Sequence, residues 1–124
     1  MPYEISTGVR FSSAHYIAGY EGDCANMHGH NWTARATLLI ASRGEGGLAY
    51  DFRKLGALLA QVAEPLDHTV LNDIPYFALR NPTAEVIAEY IYNELSKRID
   101  APGVSVGRVE VWENPQNCAV FTRE

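Results

Sequence analysis

The sequence predicts an α+β domain in which two helices cover one face of a four-stranded antiparallel sheet. Three observations support this fold class. Two segments with alternating polarity flank a glycine-containing loop, two amphipathic segments follow in mid-chain, and two further alternating segments close the chain. The predicted order is therefore ββααββ. The 124 residues fit one domain spanning residues 1–124, without repeats, low-complexity segments or linkers.

Two long strands are expected to form the first half of the sheet. Residues 3–17 alternate, and their odd-numbered side chains, which include His15, share one face. Residues 18–27 contain two glycines and several polar side chains, which is typical of a loop. Residues 28–42 resume a strand. Together these segments predict an antiparallel hairpin with its loop near one end.

Two amphipathic helices are expected next. Asp51 can cap the first helix, because its carboxylate can accept a free backbone N–H of the first turn. Apolar residues then recur at helical spacing, and Pro65 helps to end the helix. Residues 67–80 form a connector. A second helix is expected to start at Asn81-Pro82, with proline at the first helical position.

The last two strands complete the predicted sheet. Residues 104–112 alternate, residues 114–117 (Asn-Pro-Gln-Asn) form a turn, and residues 118–122 form a short strand. Such an open sheet has two exposed edges. Because exposed edges are liabilities unless they are paired or protected, we expect subunits to join edge to edge into a ring.

Composition argues against several classes of partner. The net charge of −5 does not favour nucleic acid or an anionic membrane. No apolar run reaches the roughly 20 residues needed to cross a bilayer, and the first ten residues lack the features of a signal peptide. We therefore expect a cytoplasmic protein. In a reducing compartment Cys24 and Cys118 are expected to be free thiols, with Cys118 in the core.

Three of the four histidines are expected to meet at one end of the hairpin. His28 and His30 are two residues apart and share a strand face, and His15 ends the neighbouring strand. Three neutral imidazoles leave one tetrahedral position of a zinc ion open, which is the pattern of a catalytic zinc site. The sequence therefore favours a metal centre over three unrelated histidines.

Four other residues have two interpretations each. Cys24 lies four residues before His28, so it could be a fourth zinc ligand or a free thiol acting as base or nucleophile. Asp67 could orient His68, although simple helix-end electrostatics also explains a histidine there and is favoured. Glu113 ends a strand and could accept paired N–H donors from a planar heterocycle, but an ordinary exposed glutamate is the simpler interpretation.

Six segments, in this order along the chain, resemble the 6-pyruvoyl-tetrahydropterin synthase family, which has the tunnelling fold (T-fold). The segments are Phe11-Ser-Ser-Ala-His15, Cys24-Ala-Asn-Met-His28-Gly-His30-Asn31, Asp51-Phe52, Leu66-Asp67-His68-Thr-Val-Leu71-Asn72, Asn81-Pro82-Thr83-Ala84-Glu85 and Val109-Glu-Val-Trp-Glu113. The spacing Cys-x₃-His-Gly-His is similar to the bacterial 6-carboxy-tetrahydropterin synthase branch, which serves queuosine and other deazapurine pathways.

The resemblance implies a role for each of these residues. His15, His28 and His30 would bind zinc, and Cys24 would be the catalytic base and not a ligand. Asp67 and His68 would complete a relay with Cys24 from a neighbouring subunit, and Glu113 would anchor the pterin. The family assembles as a homohexamer of two stacked trimeric rings that forms a barrel.

The resemblance also implies a reaction. The substrate would be 7,8-dihydroneopterin 3′-triphosphate, and the products would be 6-carboxy-5,6,7,8-tetrahydropterin, acetaldehyde and triphosphate. The candidates for binding the triphosphate are Arg10, Arg53, Lys54 and Arg80. One departure concerns Asn114, which stands where the family usually has threonine after the anchoring glutamate. It leaves the detail of pterin recognition open.

Two other functions stay open at this point. One is a sister enzyme that makes 6-pyruvoyl-tetrahydropterin or cleaves a related dihydropterin side chain. The other is a non-catalytic binding module stabilised by zinc, with Cys24 as the fourth ligand.

Overall fold

A computed structural model describes residues 2–123 and shows a five-stranded sheet with two helices packed on one face. The strand order is β3-β1-β2-β4-β5. In chain order the elements are β1 (Tyr3–His15), β2 (His28–Ile40), α1 (Phe52–Ala63), β3 (Thr69–Val70), α2 (Ala84–Ser96), β4 (Val104–Trp112) and β5 (Cys118–Thr122). The α+β class is confirmed.

The register of the β1–β2 hairpin determines which side chains meet. The two strands pair along their whole length, from Tyr3 opposite Ile40 to His15 opposite His28. Odd-numbered residues of β1 and even-numbered residues of β2 face the helices, as the alternation predicts. The metal-ligand candidates therefore project from the helix-covered face, at the end of the hairpin nearest the loop.

The fifth strand is the main departure from the predicted topology. The connector expected at residues 67–80 contains β3, which runs parallel to β1 and pairs Ser13 with Thr69 and Ala14 with Val70. The prediction of four antiparallel strands therefore missed one strand and one parallel pair. A strand of two residues is too short to show an alternating pattern in the sequence. It is recognised only by its backbone pairing with β1.

The two helices begin at different kinds of cap. Asp51 caps α1 as predicted, since its Oδ1 accepts a hydrogen bond from the Arg53 N–H at 2.8 Å. The predicted start of α2 is wrong, because Thr83 is its cap and accepts from the Val86 N–H at 3.2 Å. Pro82 therefore lies before the helix, which leaves its carbonyl oxygen free to contact the site.

Cys118 is exposed, so the prediction of a core thiol is wrong. It lies opposite Trp112 in the β4–β5 pair. Phe121, three residues further along β5, faces the helices and packs against the ring of Tyr92, so Cys118 lies on the opposite, open face. Both cysteines are free thiols, as expected. Among residues 2–123, no helix combines the length and the apolar character needed to span a membrane.

Candidate metal centre and active site

Three imidazoles converge at the loop end of the β1–β2 hairpin. His15 closes β1, while His28 and His30 open β2. One ring nitrogen from each histidine lies within 4.8 Å of the others, and Nε2 of His15 is 3.0 Å from Nε2 of His28. The predicted cluster of His15, His28 and His30 is therefore formed within a single chain.

Backbone carbonyls determine which nitrogens face the centre of the cluster. Nδ1 of His15 is 2.7 Å from the Pro82 carbonyl oxygen, and Nδ1 of His28 is 2.7 Å from the Asn26 carbonyl oxygen. A carbonyl oxygen can only accept, so each Nδ1 carries the proton and donates it. Each Nε2 then presents a lone pair, which is the arrangement found in metal-ligating histidines.

The donor set fits a metal ion. Two Nε2 lone pairs that face each other at 3.0 Å repel unless a cation lies between them. Nε2 of His30 is buried and has no hydrogen-bond partner, an arrangement that costs free energy unless another group satisfies it. A divalent ion bound by the three imidazoles would remove both costs. Three nitrogen ligands suit zinc and leave one coordination position open.

The environment keeps the ring nitrogens available as ligands. Burial lowers the pKa of His15, with smaller opposing contributions from the Pro82 carbonyl and Glu113. Burial also lowers the pKa of His30, again against the raising effect of the Glu113 carboxylate. Both shifts favour the neutral imidazole, the form that binds metal.

Trp32 forms an apolar wall beside the histidines. Its side chain is fully buried, and its ring centroid lies 5.1 Å from those of both His15 and His30 in edge-on contacts. Phe11 stacks on the other side of Trp32, with centroids 6.0 Å apart. This packing restricts the rotation of the two imidazoles.

A carboxylate borders the cluster. Glu113 follows β4, and its Oε2 lies 3.8 Å from Nε2 of His30. The turn after it is held by Asn114, whose Oδ1 accepts hydrogen bonds from the backbone N–H groups of Gln116 and Asn117. The Glu113 N–H in turn donates to the Asn117 carbonyl at 3.0 Å. Asn114 therefore stabilises the turn that presents Glu113.

Cys24 lies outside the metal-ligand set. It is exposed, in a single 3₁₀ turn (Asp23–Ala25) of the loop between β1 and β2. Among the described residues, only the three imidazoles form a cluster of potential metal ligands. The geometry of this chain thus favours the free-thiol interpretation of Cys24 over the fourth-ligand interpretation.

Asp67 and His68 form a pair at the sheet edge. His68 Nδ1 lies 3.0 Å from Asp67 Oδ2, and Asp67 Oδ1 accepts from the Ser12 N–H at 2.9 Å. The Ser12 N–H, followed by the histidine, lowers the pKa of the Asp67 carboxyl. His68 is 82% exposed and adopts a positive φ of 58°, a conformation that is strained for a histidine. No hydrogen bond joins the pair to Cys24 within residues 2–123.

The four basic residues that are candidates for binding a triphosphate occupy different environments. The Arg80 guanidinium stacks 4.1 Å from the Tyr76 ring centroid, and the Lys54 ammonium lies 5.4 Å from the Tyr50 centroid. Arg53 is exposed near the start of α1. Arg10 projects from the open face of the sheet, opposite to the histidines, where it lines a cavity with Trp112. The four side chains therefore do not form one cluster with the imidazoles.

Two contributors to the centre, the Pro82 carbonyl and Trp32, are not among the residues predicted from the sequence. Nothing local in the sequence indicates that the Pro82 carbonyl meets His15. Trp32 had a usable signal, because it is two residues beyond His30 and shares its strand face.

Comparison with known proteins agrees with this geometry. The family pattern described as 6-pyruvoyl tetrahydropterin synthase matches residues 4–124. The chain belongs to this family. Its members are lyases that act on pterin side chains, so the chain is an enzyme of that class. The resemblance seen in the sequence is thereby confirmed.

Individual relatives fit the same assignment. A Synechocystis protein named 6-carboxy-5,6,7,8-tetrahydropterin synthase is 35% identical, over 90% of this chain and 86% of its own. The human 6-pyruvoyl tetrahydrobiopterin synthase is 29% identical, over 98% and 92% of the two chains. The Caenorhabditis elegans 6-pyruvoyl tetrahydropterin synthase structure superposes with a TM-score of 0.88 at 24% identity, over 98% and 96%. The last comparison confirms the T-fold.

Proposed function

We propose that the protein is a zinc-dependent 6-carboxy-5,6,7,8-tetrahydropterin synthase. It would convert 7,8-dihydroneopterin 3′-triphosphate and water into 6-carboxy-5,6,7,8-tetrahydropterin, acetaldehyde and triphosphate. The observation that carries the proposal is the convergence of three imidazoles, each with a ring nitrogen within 4.8 Å of the others, beside the Glu113 carboxylate. The name of the Synechocystis relative and the Cys-x₃-His-Gly-His spacing support this branch of the family.

Zinc is the metal that the donor set suits best. His15, His28 and His30 would hold it through Nε2, with their Nδ1 protons committed to the protein at His15 and His28. When bound, zinc supplies Lewis-acid polarisation of the substrate side chain, which makes neighbouring C–H protons easier to remove. Glu113 would border the substrate side of this centre, since its Oε2 lies 3.8 Å from Nε2 of His30.

Glu113 would recognise the pterin ring. An ionised carboxylate can accept two parallel N–H bonds from a 2-amino-4-oxo heterocycle, in the same manner as it accepts from a guanidinium. Its position 3.8 Å from His30 would set the pterin side chain against the metal centre. Asn114 uses its oxygen in the turn, so only its NH₂ group remains to contact a ligand.

Cys24, His68 and Asp67 would handle the protons. Cys24 as thiolate would remove a proton from the substrate side chain, and His68, oriented by Asp67, would shuttle it. The C–O bond to triphosphate then breaks by elimination, and a C–C bond breaks to release acetaldehyde. The net reaction requires no redox cofactor, because hydrogen lost from the side chain is gained by the ring.

A homohexamer would complete the site. Asp67 and His68 lie at the β3 side of the sheet with His68 largely exposed, which suits a contribution to a neighbouring subunit's Cys24. The opposite edge is β5, whose Val120 is also exposed. Pairing of such edges would close the sheets into a barrel. A cytoplasmic location remains part of this proposal.

Two alternatives remain distinguishable. A 6-pyruvoyl-tetrahydropterin synthase would use the same three histidines. The name of the human relative, which is 29% identical, supports this alternative. It gives a pterin of different mass without acetaldehyde. A non-catalytic zinc module would need a closed coordination shell, and the absence of Cys24 from the ligand set argues against it.

The test is an anaerobic incubation of the zinc-loaded protein with 7,8-dihydroneopterin 3′-triphosphate, with products identified by mass spectrometry. Wild type should form 6-carboxy-tetrahydropterin and acetaldehyde, Cys24→Ala should form neither while retaining zinc, and Cys118→Ala should behave as wild type. Another pterin product from wild type would move the protein to a sister branch. No turnover by wild type would contradict the proposed activity.

A further inference from the structure

The loop that carries Cys24 has little support from packing. Residues 18–27 are all exposed, and their regular structure is limited to the short turn at Asp23–Ala25. A loop with so few buried apolar contacts is expected to open locally at low free-energy cost. A catalytic base nevertheless has to be held within a fraction of an ångström of its target. Something other than hydrophobic burial must therefore position it.

Two asparagines hold the first part of this loop through paired hydrogen bonds. Asn72 accepts from the Tyr16 N–H at 3.1 Å and donates to the Tyr16 carbonyl at 2.9 Å. Asn81 accepts from the Ala18 N–H at 2.8 Å and donates to the Ala18 carbonyl at 3.0 Å. Each carboxamide thus satisfies both backbone groups of one residue, as a neighbouring strand would.

The residue between these two anchor points leads directly to Cys24. The Ile17 N–H donates to the Cys24 carbonyl at 2.8 Å. Three consecutive loop residues are therefore tied, two of them to asparagines and the third to the cysteine. The position of Cys24 follows from that of Ile17, which follows from Asn72 and Asn81.

The same segment also orients a metal ligand. Asn81 precedes Pro82, whose carbonyl accepts the Nδ1 proton of His15. The backbone at residues 81–82 therefore contacts the cysteine loop with one residue and the histidine cluster with the next. This connection fixes the loop relative to the cluster.

We propose that Asn72 and Asn81, here called the asparagine bracket, are positioning residues that hold Cys24 in register with the metal centre. The inference rests on the proposed role of Cys24 as catalytic base. Neither asparagine touches the reacting atoms. The bracket acts through the backbone of residues 16–18 and the hydrogen bond from Ile17 to Cys24.

The first experiment tests the bracket without substrate. Asn72→Ala and Asn81→Ala are compared with wild type and with Asn93→Ala. The control removes an asparagine of α2 whose Oδ1 accepts a hydrogen bond from Arg123. Iodoacetamide alkylation of Cys24 and Cys118 is followed by peptide mapping in the zinc-loaded protein, so that Cys118 serves as an internal reference. Hydrogen exchange of the segments 16–27 and 28–40 is followed by mass spectrometry.

The bracket variants should retain zinc and change the ratio of the two alkylation rates by about threefold or more, with exchange of segment 16–27 accelerated roughly 10-fold. Segment 28–40 and the Asn93→Ala variant should match wild type. An unchanged alkylation ratio in both bracket variants would overturn the proposal. So would equal acceleration of exchange in both segments, because it would indicate general destabilisation.

The second experiment separates positioning from loop stability. Steady-state kinetics of the bracket variants should show kcat reduced by up to about 10²-fold with KM within about twofold of wild type. A normal kcat despite a mobile loop would contradict the positioning role. If wild type itself shows no turnover, the proposed function fails, and the alkylation ratio still decides whether the bracket positions Cys24.

Discussion

The histidine cluster and the proton-handling residues are built on different kinds of structure. His15, His28 and His30 project from paired strands whose register is continuous over the whole β1–β2 hairpin. Cys24 lies on an exposed loop, and Asp67 and His68 lie at the sheet edge. Metal ligands thus occupy the rigid part of the molecule. The groups that must meet a substrate, and in the proposal a second subunit, occupy the adaptable part.

This comparison makes a direct prediction about metal content. His15→Ala should lose the metal and all measurable activity, because one of the three ligands is removed. Its loss of metal affinity should exceed the 10–100-fold that is typical when only a hydrogen-bond partner of a ligand is removed. His68→Ala should keep one metal per chain and lose activity. The metal content per chain of both variants is measured after gel filtration. Loss of metal from His68→Ala would show that the two regions are not separate.

The next largest effect concerns the stability of the rigid region. Trp32 is fully buried between Phe11 and the histidines, so Trp32→Ala should lower the free energy of unfolding by about 3–5 kcal/mol. Trp112 is half-buried on the open face, and Trp112→Ala is the matched control with a smaller loss. Urea unfolding of the metal-free variants measures both. Equal losses would mean that the wall behind the cluster has no special role.

A smaller effect is expected from pH at the sheet edge. The pKa of Asp67 is lowered in the folded chain, so its ionised form contributes stability that is present above the ordinary aspartate pKa and is lost as pH falls through the lower folded pKa. Thermal unfolding of wild type and Asp67→Asn should therefore differ at neutral pH, and the difference should begin to shrink only as pH falls below about 4. A difference that persists unchanged in acid would exclude Asp67 ionisation as its source.

The smallest effect should come from Asn114. Its oxygen caps the turn after Glu113, and threonine can accept one of those bonds with its hydroxyl. Asn114→Thr should therefore change the free energy of unfolding by less than about 1 kcal/mol. It should change the KM for the pterin more than kcat, because it alters how Glu113 is presented. Thermal unfolding and steady-state kinetics test the two expectations, and a large fall in kcat alone would contradict them.

Features set by nearby residues could be predicted from the sequence, whereas features that depend on distant residues could not. The histidines of β1 and β2 could be brought together from sequence, because alternation fixes their face and a hairpin fixes their neighbours. The Asp51 cap is likewise local, since acceptor and donor are two residues apart. Features that depend on distant partners were missed. They include the pairing of β3 with β1, the contact of Pro82 with His15, and the exposure of Cys118, which depends on how β5 joins the sheet edge.

Three imidazoles carried by strands are proposed to form an open metal site, with the loop cysteine Cys24 outside it. The decisive experiment is X-ray absorption at the zinc edge of the zinc-loaded wild-type protein. We expect only nitrogen and oxygen neighbours, at about 2.0–2.1 Å from zinc, and an unchanged spectrum in Cys24→Ala. A sulfur neighbour at about 2.3 Å that disappears in Cys24→Ala would contradict this proposal and would indicate a closed structural site.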